Sequence, residues 1–200
     1  MPYFPALAFG LILGTYWARV VKMVLKARAR EGRDAANFVP RETLGRVLRV
    51  VWYPTVSLWV AVPFLYAFVD DLPPPLRLLH RSPWVAWPAV GVGLAALVVT
   101  WICWKRMGKS WRMGIDPNAP TQLVSTGPYA YVRHPIYALS SLLMLATTAA
   151  LTSYLMLGLA VIHISFLQWE ARREEKYLLH LHGEEYGTYM KRVGRFVPRG

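Results

Sequence analysis

The chain is poor in cysteine and acid. Its single cysteine, Cys103, excludes a disulfide or a cysteine-ligated zinc site within one chain. The five histidines form no recognised metal motif, because His180 and His182, two apart, point to different sides of a helix. No metal site is expected. Internal repeats and low-complexity segments are missing as well, and the three prolines at 73–75 read as a turn. The first residues, MPYFPALAFGLILGTYWARV, have no basic region before their apolar core and no small-residue cleavage site. They read as a retained first span rather than a signal peptide.

What is present is grease and positive charge. Hydrophobic residues make up 55% of the chain, and 23 lysines and arginines against 11 acids leave a net charge of +12. The first number, with a mean hydropathy of +0.29, argues against a soluble globule. The second could suggest a nucleic-acid partner, but the basic residues stand in blocks between apolar spans, as in inner-membrane loops, and none is expected. Two hundred residues fit one membrane domain, with three spans in 1–104 and a chemistry-bearing half in 105–200.

A helix needs roughly 20 apolar residues to cross a bilayer core. Residues 3–18, 50–69 and 82–104 are uncharged, with Arg19 and Lys22 able to snorkel from the first. Pro54, Pro63 and Pro88 predict kinks or helix starts, and Trp52, Trp84 and Trp104 suit the interface. Residues 135–169 are also uncharged, and as one helix they would run about 52 Å. Lysine and arginine settle the count: eight lie in 22–49, two in 70–83, five in 105–133 and seven in 170–200. A break near Thr152-Ser153 sets twenty against two across the membrane, whereas an unbroken helix sets thirteen against nine. The positive-inside rule selects the hairpin.

The expected fold is therefore an all-α integral membrane protein with five transmembrane helices, the last two a hairpin, plus short cytoplasmic amphipathic helices. The latter come from EEKYLLHLHGEEYGTYMKRV, whose apolar residues recur at helical spacing around a break at Gly183. The N-terminus lies outside and the basic ends face the cytoplasm, in a bacterial or archaeal inner membrane. This topology lets Arg133 and His134 meet Glu170, Glu174 and Glu175.

The stretch STGPYAYVRHPIY, 125–137, carries more chemistry than an anchor needs. Pro135 suits the first position of a helix and holds His134 extended at its cap. Unpaired backbone N–H groups there favour an anionic group, and Arg133 adds a guanidinium fork. Tyr129, Tyr131 and Tyr137 supply rings with polar tips. The plainer reading makes Arg133-His134 a membrane-surface marker and the tyrosines an aromatic belt. His163 sits mid-span, where an ionisable residue is a functional candidate by default, but a neutral histidine bonded between helices explains it equally and leaves it outside the site.

GPYAYVRHPIY, followed about 33 residues later by EARREEKYLLHLHGEEYGTYMKRVGRFVP, resembles the isoprenylcysteine carboxyl methyltransferases and related phospholipid methyltransferases. The resemblance covers about 105–198 and includes MGKSWRMGI and QLVSTGPY. It implies clustered membrane helices, a cytoplasmic pocket for S-adenosylmethionine, and a lipid-like substrate arriving from the bilayer among membrane lipids. It places Thr121, Gln122, Leu123, Val124 and Tyr129 on one wall of the cofactor pocket. His134, Pro135, Ile136 and Tyr137 form another, and Glu174 touches the cofactor. Arg133, His134 and Glu170 are the catalytic candidates.

One position departs from the resemblance. The prenylcysteine enzymes carry an arginine four residues before the matched glutamate, placed for the substrate carboxylate; here it is Glu170. A carboxylate would repel a carboxylate, so an amine headgroup or another neutral lipid-like nucleophile is the expected acceptor, with Glu170 attracting its cation or taking its proton. Pairing with Arg173 or Lys176 is the alternative for Glu170. Membrane sterol or enone reductases share a similar C-terminal half, but RHPIYALS lacks their asparagine and glutamate for NADPH. A non-catalytic scaffold is the remaining alternative, and the oligomeric state is left open.

Overall fold

A computed structural model describes residues 2–31, 43–108, 111 and 123–199. Five α-helices follow in order: α1 (Phe4–Glu31), α2 (Thr43–Phe68), α3 (Pro83–Met107), α4 (Pro135–Ala150) and α5 (Tyr154–Arg192). Among the described residues there is no β-strand, only an isolated parallel bridge between Val132 and Gly194. α1, α2, α3 and α5 are long and apolar enough to cross a membrane. α4 has 16 residues, about 24 Å at the α-helical rise, and falls short of a 30 Å core. The structure thus gives four candidate spans and one shorter apolar helix where the sequence suggests five spans.

The helices overrun their apolar cores. α1 continues through Arg19 and Lys22 to Glu31, and α2 begins seven residues before the uncharged run. Lysine and arginine are good helix formers, so losing apolarity does not end a helix. Pro54, Pro63 and Pro88 lie inside helices, where the lost backbone bond leaves each helix unbroken. Pro83 and Pro135 instead occupy first turns, behind Ser82 and His134.

The hairpin falls where the charge count puts it. α4 ends at Ala150, and the Ser153 hydroxyl caps α5 by accepting from Met156 N at 3.1 Å. Tyr66 of α2 donates to the same hydroxyl at 2.7 Å. Leu79 N and Leu155 N bond Thr152 O and Pro75 O, tying the α2–α3 connection to this turn, while Tyr3 N bonds Ala67 O. These bonds collect the start of α1, the end of α2 and the α4–α5 turn at one end of the bundle. The opposite end carries the basic helix termini.

The core between them is aliphatic and aromatic, with α3 packing most extensively on α4 and α1 on α2. Phe9, Leu13, Trp59, Leu143, Met144 and Met156 are fully buried. Valines and leucines of α2 and α3, such as Val50, Leu94 and Val98, point outward, a lipid-compatible surface.

Of the expected pair of amphipathic helices after the last span, the second is a short helix set off by a kink at Gly183, whose φ of 52° is left-handed. Only glycine takes that conformation without strain. The break lies where the sequence puts it, but the segment before it is part of the long helix rather than a separate element.

Candidate functional site

The site grows from the cap of α4. Gly127, at φ 65°, turns the chain into a 3₁₀ turn over Gly127–Ala130. Arg106 at the end of α3 donates to the Thr126 hydroxyl at 2.6 and 3.1 Å and fixes the approach. His134 then stands at the N-cap of α4 with Pro135 behind it. Its φ of −122° is as proline requires, but its ψ of 63° is less extended than the sequence suggests.

The end of the chain returns to hold this segment. Arg133 N bonds Gly194 O at 2.8 Å and His134 N bonds Arg195 O at 3.0 Å. The strap depends on Gly194, since a Cβ there would collide with the Val197 carbonyl. Phe196 packs edge-on against the His134 ring, and Tyr189 donates to the Tyr129 carbonyl at 2.5 Å.

Arg133 and His134 meet α5 through Glu174 and Glu175. Arg133 Nε and Nη2 donate to Glu175 Oε1 at 3.0 and 2.8 Å, and Nη1 donates to the carbonyls of Met190 and Val193. Every nitrogen of that fork is therefore used, and the expectation that it offers a charge to a ligand is corrected: Arg133 is a positioning residue. Arg195 completes the cage, donating to Glu175 at 2.5 and 3.0 Å.

His134 lies between the two acids, Nδ1 3.5 Å from Glu174 Oε2 and Nε2 3.4 Å from Glu175 Oε1. Burial works against its charge, but the two carboxylates outweigh burial and hold its pKa above the ordinary value. Its Nε2 makes no well-formed hydrogen bond among the described residues. Tyr137 stacks parallel on the His134 ring and donates to Glu174 at 2.5 Å.

These groups open onto a cavity of about 220 Å³. Leu123, Val124, Tyr129 and Glu174 line it, as do His134, Pro135, Ile136 and Tyr137. Thr121 and Gln122 lie outside the described residues. Burial pushes the Tyr129 phenol well up, with Cys103 and Glu174 adding to it, so it stays protonated. Its hydroxyl has no partner among the described residues. Around the α4 cap the site thus offers Tyr129 Oη and His134 Nε2 as unsatisfied polar atoms, an acidic wall and several aromatic faces. These suit a molecule with hydroxyl or amino groups, an aromatic base and a cationic sulfur, since cations are attracted to ring faces.

Glu170 lines the same cavity, one helical turn before Glu174, but it does not act as the sequence suggests. Its Oε1 accepts from Arg49 of α2 at 2.7 Å and from Arg173 at 2.8 Å, and its Oε2 accepts from Arg173 at 3.1 Å. With two guanidiniums on it, this carboxylate is not free to attract an ammonium or take its proton. The expected role is corrected on that ground; of its alternatives, Arg173 is right and Lys176 makes no contact with it.

Sequence reasoning misses Arg49, counting it among loop charges. It also misses Tyr16, Trp17, Trp52 and Trp104, which make the cavity's aromatic far wall. Their signal was an unusual density of tryptophan at the basic ends of three spans, readable as interface belts. His163 is fully buried. It accepts from Trp52 Nε1 at 3.2 Å through Nδ1 and lies 3.0 Å from the Ser140 hydroxyl through Nε2. Because indole only donates, Nδ1 is the acceptor and Nε2 carries the proton, a neutral tie between α2, α4 and α5.

Comparison with known proteins agrees with the resemblance. Residues 89–180 match the isoprenylcysteine carboxyl methyltransferase (ICMT) family. The match starts inside α3 and ends before the Gly183 break, so α1, α2 and the strap lie outside it. The chain is also similar to the nickel-cobalt-cadmium resistance protein NccN of Alcaligenes xylosoxydans xylosoxydans, 25% identical over 117 residues. That similarity covers 58% of this chain and 53% of NccN, so the chain spans about half the length of the relative it matches.

Proposed function

We propose that the protein is an S-adenosylmethionine-dependent membrane methyltransferase acting on a lipid-like acceptor. One observation carries the reading. The RHP segment and the acidic turn of α5, 37 residues apart in sequence from Tyr137 to Glu174, touch at 2.5 Å on the wall of one cavity. The match to a methyltransferase family over 89–180 supports the same conclusion.

When bound, S-adenosylmethionine supplies a methyl carbon on a positively charged sulfur, and transfer to a nucleophile breaks that C–S bond to leave a neutral thioether. Glu174 and the tyrosine faces would hold its cationic part, and Tyr129 Oη and His134 Nε2 would satisfy its polar groups. The chain's task is alignment and exclusion of water. Aromatic and aliphatic lining side chains and a strap fixed by backbone hydrogen bonds serve both. A nucleophilic serine has no part in such a transfer.

The site end of the bundle is the basic end, which the positive-inside rule assigns to the cytoplasm. A polar cofactor enters there, while the acceptor arrives from the bilayer. α4, too short to span alone, meets the membrane plane below its His134 cap, so the RHP segment lies at the interface where the two meet. The metal-resistance name of NccN finds no counterpart in a metal cluster: among the described residues no three His, Cys, Asp or Glu side chains gather to hold an ion.

The test is thermal unfolding of the purified chain in nanodiscs. S-adenosylhomocysteine should raise the melting temperature and NADPH should not; stabilisation by NADPH alone would transfer the assignment to the reductases. Lipid extracts of cells with and without the gene should then differ by one CH₂ in the acceptor.

A further inference from the structure

Two buried arginine clusters face the cavity, and one is incomplete. Arg49 is 4% exposed and is presented by α2, outside the family match. Its Nη2 is committed to Glu170 at 2.7 Å. Its Nε and Nη1 are buried without a hydrogen-bond partner among the described residues, although the residue lines the cavity. A buried guanidinium with idle donors forfeits hydration and gains nothing in exchange.

The charges are unbalanced too. Among the described residues, Glu170 is the one carboxylate in contact with both Arg49 and Arg173. Side-chain exposures in this trio are 5% for Arg49, 3% for Glu170 and 15% for Arg173. One negative charge against two positive leaves a net cation in a desolvated place. Arg173 is accounted for, spending two nitrogens on Glu170 and lying over the Trp169 ring at 5.2 Å. The surplus belongs to Arg49, whose carbon stands 5.9 Å from the Phe166 ring centre. An oxyanion in the cavity would supply the missing charge and the missing acceptors together.

We propose that Arg49 is an oxyanion-recognition residue, oriented by Glu170, and that the lipid-like acceptor presents a carboxylate or phosphate to it. The inference rests on the methyltransferase reading and names the acceptor's chemical class. A free oxyanion could come instead from the cofactor's own carboxylate. Position favours the acceptor: Arg49 meets α5 at Glu170, one turn nearer the apolar stretch of the helix than Glu174, and stands by the Phe166 ring. Glu170 thus occupies a place where an acid would be expected to repel an anion, but with two arginines on it the local charge has the opposite sign.

The experiment uses the full chain in nanodiscs and needs no cofactor. Intrinsic tryptophan fluorescence, with Trp52 and Trp17 in the cavity wall, reports binding of four probes with the same tail: dodecyl phosphate, N-dodecanoylglycine, dodecylamine and dodecanol. The two anions should bind about tenfold more tightly than the alcohol, with the amine weakest, and Arg49→Gln should abolish the preference. Binding of S-adenosylhomocysteine should stay within about twofold in the same variant. Anions binding no better than dodecanol to the wild type would overturn the proposal without recourse to any variant. An unchanged preference in Arg49→Gln would overturn it as well. Loss of S-adenosylhomocysteine binding with amphiphile binding intact would overturn the acceptor assignment in favour of the cofactor carboxylate. If S-adenosylhomocysteine fails to bind the wild type while the anion preference holds, it is the methyltransferase reading that falls, and the two failures are told apart.

Discussion

Glu170 and Glu175 stand five residues apart on α5, both buried and both gripped by two arginines. Their surroundings nevertheless differ in kind. Around Glu175 both guanidiniums are engaged: Arg133 spends all three nitrogens on the carboxylate and two carbonyls, and Arg195 binds through two nitrogens. Around Glu170 one guanidinium keeps two buried nitrogens without a partner among the described residues, on a side chain that lines the cavity. The residue types match, so composition does not tell them apart. A guanidinium with every nitrogen bonded, as in Arg133, holds the fold together, whereas one with idle nitrogens, as in Arg49, has capacity left for a ligand.

The comparison breaks most severely at Glu175→Gln. That change leaves Arg133, His134 and Arg195 without their shared anion, and removing one partner of a buried pair costs about 3–5 kcal/mol. The melting temperature should fall steeply and S-adenosylhomocysteine binding should vanish with it; a stable variant that still binds would show that the cage is dispensable. Gly194→Ala attacks the same cage through the backbone, because the new Cβ meets the Val197 carbonyl. A displaced strap should cost about 1–3 kcal/mol and weaken nucleotide binding, whereas the same change at Gly14, which faces open space, should do neither.

The pH dependence sharpens the contrast from the side of His134. Its pKa is held above the ordinary value by Glu174 and Glu175. The stability this adds is complete below the unfolded value of about 6.5 and disappears as pH climbs through the raised folded value. Melting of the wild type between pH 6 and pH 9 should show that decline, and His134→Asn should lack it; identical profiles would remove the charge from the histidine. The smallest effect belongs to Arg49→Gln. It leaves Arg173 paired with Glu170 and removes a surplus charge, so folding stability should change by less than about 1 kcal/mol. A loss as large as that at Glu175 would make Arg49 a structural residue and erase the distinction.

Much of this was legible in the sequence, for identifiable reasons. The α4–α5 hairpin follows from where lysine and arginine stand, since membrane orientation is read from charge rather than contact. The His134 cap follows from Pro135, because proline's missing N–H leaves no helical bond unmade in a first turn. The meeting of the RHP segment with Glu174 follows once those two are granted. Arg49 was hidden because a charge at a span's edge looks the same whether it snorkels outward or folds inward; α2 turns it toward α5, and only tertiary packing decides that. Glu170 was misread for the same reason, its partner being 121 residues away. The length of α5 was obscured by its changing character, apolar at first and charged later, while helical hydrogen bonding continues through both.

The strap has a consequence for how the molecule comes into being. Residues 193–196 are synthesised after all five helices, yet they supply the carbonyls that fix Arg133 and His134. The bundle can therefore be inserted in the lipid before the cap of α4 is fixed, and the site takes its shape only once residues 193–196 have followed. A nascent chain stopped short of Val193 would keep its membrane helices and lack the backbone bonds that hold Arg133 and His134 at the cap of α4.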